Sequence, residues 1–461
     1  MTPIYPRITF LFFIALAGLL CLGDANAANW YVRPSAAGSN TGADWNNAWS
    51  LSSINWGSIQ AGDTVWLAGG SYSAPLTIQA SGSPGSPVTV LRARSTDSAA
   101  ASAAGWNSSF DSQVAFSGSN WPFLSIPAGH DITVDGRVAS GILLQIPSSG
   151  GNASQGAQNG NVANVTISNV EIIGPSATSG LSWGRYGFNW APSSNTVTNV
   201  TFDHCIVHQL CEAFRASNWN GVVIQYCTIH DLTTDNVDHD DICYSYPGQN
   251  VTWRYNTFYN SPDDGLFFEF GGATNYYFYG NVFYSCTYSM ITFKTGSSYG
   301  PVFIYNNVFA GRDPSQSYAY IQAQGSVAST TQCYNNVFFN ATNGIENQNA
   351  VNTDYNAYYP ATVNGYSWPS GSEPHSFALG TNPFISSTTG NFHLTAAGAA
   401  ALQKGLPLTT NGFINKDMDG NTRGGSGGWT IGAYQYSSGS STQQPTPTPP
   451  PPPTGLRIAG S

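Results

Sequence analysis

Ten of the 24 acidic residues lie between Asp203 and Glu269, a window whose only Lys or Arg residues are Arg215 and Arg254. Four of the seven histidines, His204, His208, His230 and His239, share it, and Lys294 stands just beyond as one of three lysines in the chain. Carboxylates gathered this densely can hold a hard cation through several oxygens. A pair of them can also divide general acid and general base work, and a neutral lysine can abstract a proton. Which of these side chains meet depends on the elements that carry them.

Those elements repeat. VTWRYNTFYN (251–260), YFYGNVFY (277–284), VFIYNNVFA (302–310), TQCYNNVFFN (331–340) and DYNAYY (354–359) are copies of one phrase. VTISNVEII (165–173), VTFDHCIVH (200–208) and VVIQYCTIH (222–230) are weaker ones. Aligned, they place Cys205, Cys227, Asn256, Asn281, Asn307, Asn336 and Asn356 in one column, at spacings of 22, 29, 25, 26, 29 and 20 residues. Short β-branched and aromatic strands in coils of this size predict a β-solenoid. Like residues then stack about 4.8 Å apart, and buried asparagines can donate and accept along the stack.

Composition agrees. Charged residues are 8% of the 461, against about 25% in an ordinary globular domain. With five glutamates and three lysines, amphipathic helices lack their usual polar faces, so bundles, coiled coils and helix-covered α/β folds are excluded. Hydrophobic residues are 41%, which excludes disorder for most of the chain. A net charge of −10 opposes general nucleic-acid binding, which needs clustered cations. No zinc-type Cys/His spacing, phosphate loop or nucleophile elbow is present. Cys205 and Cys227 could pair as a disulfide or remain buried thiols.

Counted from the ladder, Cys227 to Asp240, Asn256 to Glu269 and Asn281 to Lys294 each span thirteen residues, predicting one column on adjacent coils. Alternation turns Leu266, Phe268, Ile291 and Phe293 inward and Asp240, Glu269 and Lys294 outward; His239 takes the inward parity. Beside this column, Arg215, Asp238, Phe267, Thr292 and Tyr320 predict a second, and Glu212, Asp235, Asp264 and Ser289 a third at the preceding turn. The expected result is a charged patch on one parallel-sheet face. A functional cleft, a structural cation site and a merely solvated surface are its three readings.

The repeats, with NWYVRP (29–34) and GDTVWLAGGSY (62–72) as an N-terminal cap and NFHLTAAGAAALQKG (391–405) and DMDGNTRGG…WTIGAYQY (417–436) as a closing segment, resemble the right-handed parallel β-helix proteins of the pectate-lyase type. The resemblance spans nearly the whole of residues 28–436 and implies an all-β, single-stranded right-handed parallel β-helix. Its earliest coil is expected near HDITVDG (130–136). The fold hosts lyases, hydrolases, epimerases, tailspikes and adhesins, so it implies no single activity.

The run SPDDG…FEF…FKTG (261–296) resembles the arrangement of β-helical lyases that pair calcium with a basic residue. It implies Ca²⁺ held by Asp238, Asp240, Asp264 and Glu269, Lys294 as the base, and Arg215 as the nearest charge-neutralising partner. A general base must be neutral, and a carboxylate beside a lysine favours the ammonium unless a cation occupies the acids. The same patch suits a glycoside hydrolase, with Asp240 and Glu269 at a retaining separation or Asp238 and Asp264 at an inverting one. VDHDDIC (237–243) resembles the Asp-Asp-Cys of polygalacturonases, but their Gly-His-Gly and Arg-Ile-Lys segments are absent, as is the Asp-Pro-His-Asp of alginate-type epimerases. Trp183, Tyr186, Trp190 and Trp219, in long excursions before the patch, and Tyr320 are expected to stack on sugar rings. A non-catalytic surface adhesin is the remaining alternative.

At the ends, residues 1–27 read as a signal peptide, with Arg7, an apolar stretch from Ile8 to Leu22 and Ala25-Asn26-Ala27 for cleavage. Residues 437–461 read as a Ser/Pro-rich linker and short tail. A secreted monomer that cleaves an acidic, uronate-containing polysaccharide by calcium-assisted β-elimination, with no membrane span in the mature chain, is the expectation.

Overall fold

The computed structural model describes residues 27–175, 184–234, 240–269, 272–311, 319–340, 344–346, 351–363, 366–367, 373–408, 414–424 and 428–436. The signal-peptide and linker readings, Trp183, Asp235, Asp238 and His239 lie outside these residues.

Short strands recur in threes and pair in parallel with the equivalent strands of the coils before and after. One coil runs through Thr252–Arg254, Thr257–Tyr259 and Leu266–Phe268, and the next through Tyr276–Tyr279, Val282–Tyr284 and Ile291–Phe293. Among the described residues the three resulting parallel sheets hold 15, 12 and 10 strands, called here the first, second and third in the order a coil visits them. The winding begins earlier than the sequence indicated: Asn29–Val32 already pairs with Thr64–Leu67, and that strand with Val88–Arg92.

The ladder forms as expected. The Asn307 carboxamide oxygen accepts from both the backbone N–H and the side-chain amide of Asn281 at 3.0 Å. Its own amide donates to Phe278 O at 2.8 Å and to Asn336 Oδ1 at 3.0 Å. Asn256, Asn281, Asn336 and Asn356 repeat the pattern, and all five are fully buried. Each ladder residue follows one with positive φ, such as Tyr255 at 57° and Asn306 at 54°, so the chain bends sharply between the first and second sheets and the asparagine ties the bend to its neighbours. Cys205 and Cys227 extend the ladder as free thiols, the Cys205 N–H meeting Cys227 Sγ at 3.4 Å. Asn307→Ala strands buried donors and acceptors on both neighbouring coils, each costing about 1–3 kcal/mol. Urea titration of the variant is expected to show a loss of about 3 kcal/mol or more.

The closing segment lies along the side of the solenoid. Leu394, Leu402 and Ile431 pack on Val282, Val308 and Val337, while Ile414 and Trp429 cover Tyr255, Tyr279 and Tyr305. That tyrosine ladder is therefore structural. Among the described residues the closing segment leaves the outer face of the third sheet uncovered, and the outward row of that sheet is Thr77, Ser125, Gln155, Asn189, Arg215, Tyr244, Phe267 and Thr292. No helix among the described residues is long and apolar enough to cross a membrane.

Candidate functional site

Two neighbouring strands of the third sheet bring Glu269 and Lys294 together. Phe268 pairs with Phe293, so the residues that follow share a row. Lys294 Nζ stands 3.6 Å from Glu269 Oε1 and 4.9 Å from the centre of the Phe267 ring. Tyr244 Oη donates to Glu269 Oε2 at 2.5 Å from the preceding coil. The lysine side chain is 35% exposed and the glutamate 17%, which leaves the amine open to a ligand.

Asp240 does not join this row. Ser245 pairs with Phe268, and six more residues separate Cys227 from Ser245 than separate Asn256 from Phe268. The extra residues enter before the strand, so Tyr246 takes the place assigned to Asp240 and Tyr244 the place assigned to Asp238. Asp240 instead shares a row with Asp263 and is buried. The same displacement puts Asp241, not Asp235, in line with Glu212, Asp264 and Ser289.

The outcome is a carboxylate cluster different from the expected one. One oxygen from each of Asp241, Asp263 and Asp264 lies within 4.8 Å of the others. Asp241 and Glu212 are fully buried. Burial, reinforced by the charge of Asp263, pushes Asp264 up to about 7, although it accepts from the Ser289 N–H at 2.9 Å and the Thr292 hydroxyl at 3.2 Å and feels Lys294. Asp241 is raised well above the carboxylate range by burial, then by Asp264, Asp263, Glu212 and Asp240. Ca²⁺ takes oxygens at about 2.3–2.6 Å, so ligands on one ion lie within roughly 5 Å of each other, as these do. The three residues fit a cation on both spacing and charge, with Asp264 retained from the expected set. Glu269 is engaged by Tyr244 and Lys294 instead.

Arg215 is placed less favourably for its expected role. Three strand steps separate its row position from that of Thr292, about 14 Å. Its guanidinium lies over Tyr186 at 4.5 Å and Tyr244 at 5.5 Å, with Nε 3.4 Å from Glu212 Oε1. Tyr186 is thereby a platform for Arg215 within the site. Trp190, Trp219 and Tyr320 are core residues, at 0%, 2% and 1% exposure. The Trp190 ring fills space above Gly156, where a Cβ would come within 2.4 Å of it. Trp219 donates to Trp190 O, and Tyr320 Oη to Phe339 O and Asn340 O. None of the three faces a groove.

No protein-family model matches the chain, and no curated protein matches it. Among solved structures, the pectate lyase Pel9A aligns with a TM-score of 0.51 and 14% identity, over 90% of this chain and 98% of its own. This is a parallel β-helix. A rhamnogalacturonan lyase aligns with a TM-score of 0.44 and 13% identity over 67% of this chain and 87% of its own. The family 6 polysaccharide lyase Pedsa3628 from Pseudopedobacter saltans gives 0.37 and 13%, over 67% and 91%. At these identities the likeness is one of fold, and the chemistry of this β-helix has to be argued from its own acid cluster and Lys294.

Proposed function

We propose that this protein is a secreted, monomeric polysaccharide lyase that cleaves a uronate-containing polymer by β-elimination. The observation that carries the reading is that the Asp263–Asp264 pair and Lys294 flank the two ends of adjacent strands of the third sheet, with Lys294 Nζ lying 4.9 Å from the Phe267 ring between them and its charge felt by Asp264. Asp241, Asp263 and Asp264 would hold calcium, which supplies positive charge for the substrate carboxylate and acidifies the proton on its α-carbon. The positive charge held by the acid cluster would favour the neutral amine of Lys294 against the opposing pull of Glu269, and in that form Nζ takes the proton. The released electron pair forms the α,β double bond, the β carbon–oxygen bond breaks, and the departing oxygen gains a proton from water. Thr292 and the Ser289 N–H hold Asp264 in place by hydrogen bonds, and Tyr244 orients Glu269 beside the base.

A panel of uronate polymers incubated with and without a chelator tests this. Ultraviolet absorbance from unsaturated ends should appear on at least one polymer and vanish when calcium is removed. One observation favours a second reading: a carboxyl raised to about 7 is suited to act as the general acid of a glycoside hydrolase. Reducing ends without absorbance on the same panel would establish hydrolysis and overturn the lyase.

A further inference from the structure

The outward row that passes Arg215, Tyr244 and Phe267 also runs the other way, to Gln155, Ser125 and Thr77. There it forms the floor of a cleft of about 500 Å³, within the usual range for small-ligand sites. Gln79, Gln158 and Asn159 stand along one edge and Pro122 along the other, and the lining includes no Asp, Glu, Lys, Arg or His. The side-chain amides of Gln79, Gln155 and Asn159 hydrogen-bond to no described residue, and Gln79 and Asn159 are exposed. Next to Pro122, Trp121 remains 44% exposed. Its ring is seated on Gly151, where φ is +137° and a Cβ would come within 2.7 Å of the ring carbons. An aromatic plate next to the Pro122 edge of a cleft whose floor and opposite edge carry unengaged amides matches a pyranose, which offers an apolar C–H face and a rim of hydroxyls. A uronate would find no cation in this lining, and an anion pays a desolvation cost in such a site without compensation.

We infer that this cleft is a binding subsite for uncharged sugar residues, so that the polymer is a mixed one. Neutral units lie against Trp121 and Gln155 while a uronate occupies the acid cluster. Four strand steps, about 19 Å, separate Gln155 from Phe267, so the two sites engage different residues of one chain. The mixed-polymer part rests on the uronate reading above; the subsite itself does not.

The test is native electrophoresis in calcium-free gels cast with a neutral polymer (galactan, arabinan or xylan) or with polygalacturonate. At least one neutral polymer is expected to retard the protein. Trp121→Ala and Gln155→Leu, each checked for unchanged circular dichroism and melting, should weaken that retardation about tenfold, while Lys294→Ala leaves it intact. Absence of retardation on every neutral polymer, or wild-type migration of both cleft variants, overturns the subsite. Retardation without cleavage of any uronan keeps the subsite and removes the lyase; cleavage without retardation does the reverse.

Discussion

Lys294→Ala should lower the rate of β-elimination by about 10²–10⁴-fold, the usual contribution of a positioned general base, with the fold left intact. The measurement is the initial rise in ultraviolet absorbance at saturating polymer and calcium. Stability should change by less than about 1 kcal/mol, because the Lys294–Glu269 contact is a partly exposed ion pair at 3.6 Å and such pairs contribute little. Lys294→Arg keeps the charge but cannot deprotonate, so it should be as impaired as the alanine variant. A primary amine added to Lys294→Ala should restore part of the rate, rising with amine concentration, since the side chain removed leaves an opening on a face that is already accessible. A structural role would produce neither the arginine result nor the rescue. Wild-type turnover in the alanine variant would exclude Lys294 as the base.

That row of Glu269 and Lys294 was legible in the sequence because the two coils that carry it are built alike: Asn256 to Phe268 and Asn281 to Phe293 are the same length. The ladder was legible for a related reason, since only a buried stack explains asparagine recurring at one phase among apolar residues. The coil of Cys227 defeated the same counting. Its extra six residues put Asp241, Tyr244 and Tyr246 in the rows expected of Asp235, Asp238 and Asp240, one uniform shift. Six is even, and side chains alternate with a period of two. Inward and outward parity therefore looked correct in the wrong register. Matching the short strand Cys243–Ser245 to Leu266–Phe268 would have revealed the slip and brought Asp241 and Asp263 forward. The tryptophans failed differently: whether Trp190 stacks on a sugar or fills the core depends on Gly156 in the preceding coil and Ala216 in the next, and neither is adjacent in sequence. Trp121 drew no attention because its exposure follows from Gly151, a partner thirty residues away.

In chelator, the stability conferred by the Asp264 site should fall as pH rises from about 4 to about 7, and calcium should reverse that trend. Asp264 ordinarily titrates at 3.8 and is pushed up to about 7 in the folded protein. Below 3.8 both states are protonated and there is no penalty. Between the two values the unfolded chain releases its proton while the folded chain retains it, so unfolding is favoured by about 1.4 kcal/mol per pH unit. Over this span the loss reaches about 4 kcal/mol and levels off above 7. Asp241, raised in the same direction, adds to it. Glu171 and Asp231, both lowered, act oppositely at acid pH, so the informative quantity is the difference in melting between wild type and Asp264→Asn at each pH. In chelator the variant should gain on the wild type as pH rises. With calcium at about 100 times its dissociation constant, binding adds about 2.7 kcal/mol, and it should do so for the wild type near pH 8, far less near pH 5, where protons compete for the same oxygens. The variant should show little calcium response at either pH. No calcium effect on the wild type would remove the cation from the site and with it the lyase mechanism, and a difference that stays flat in chelator from pH 4 to 8 would remove the raised Asp264 and with it the acid-catalysis reading.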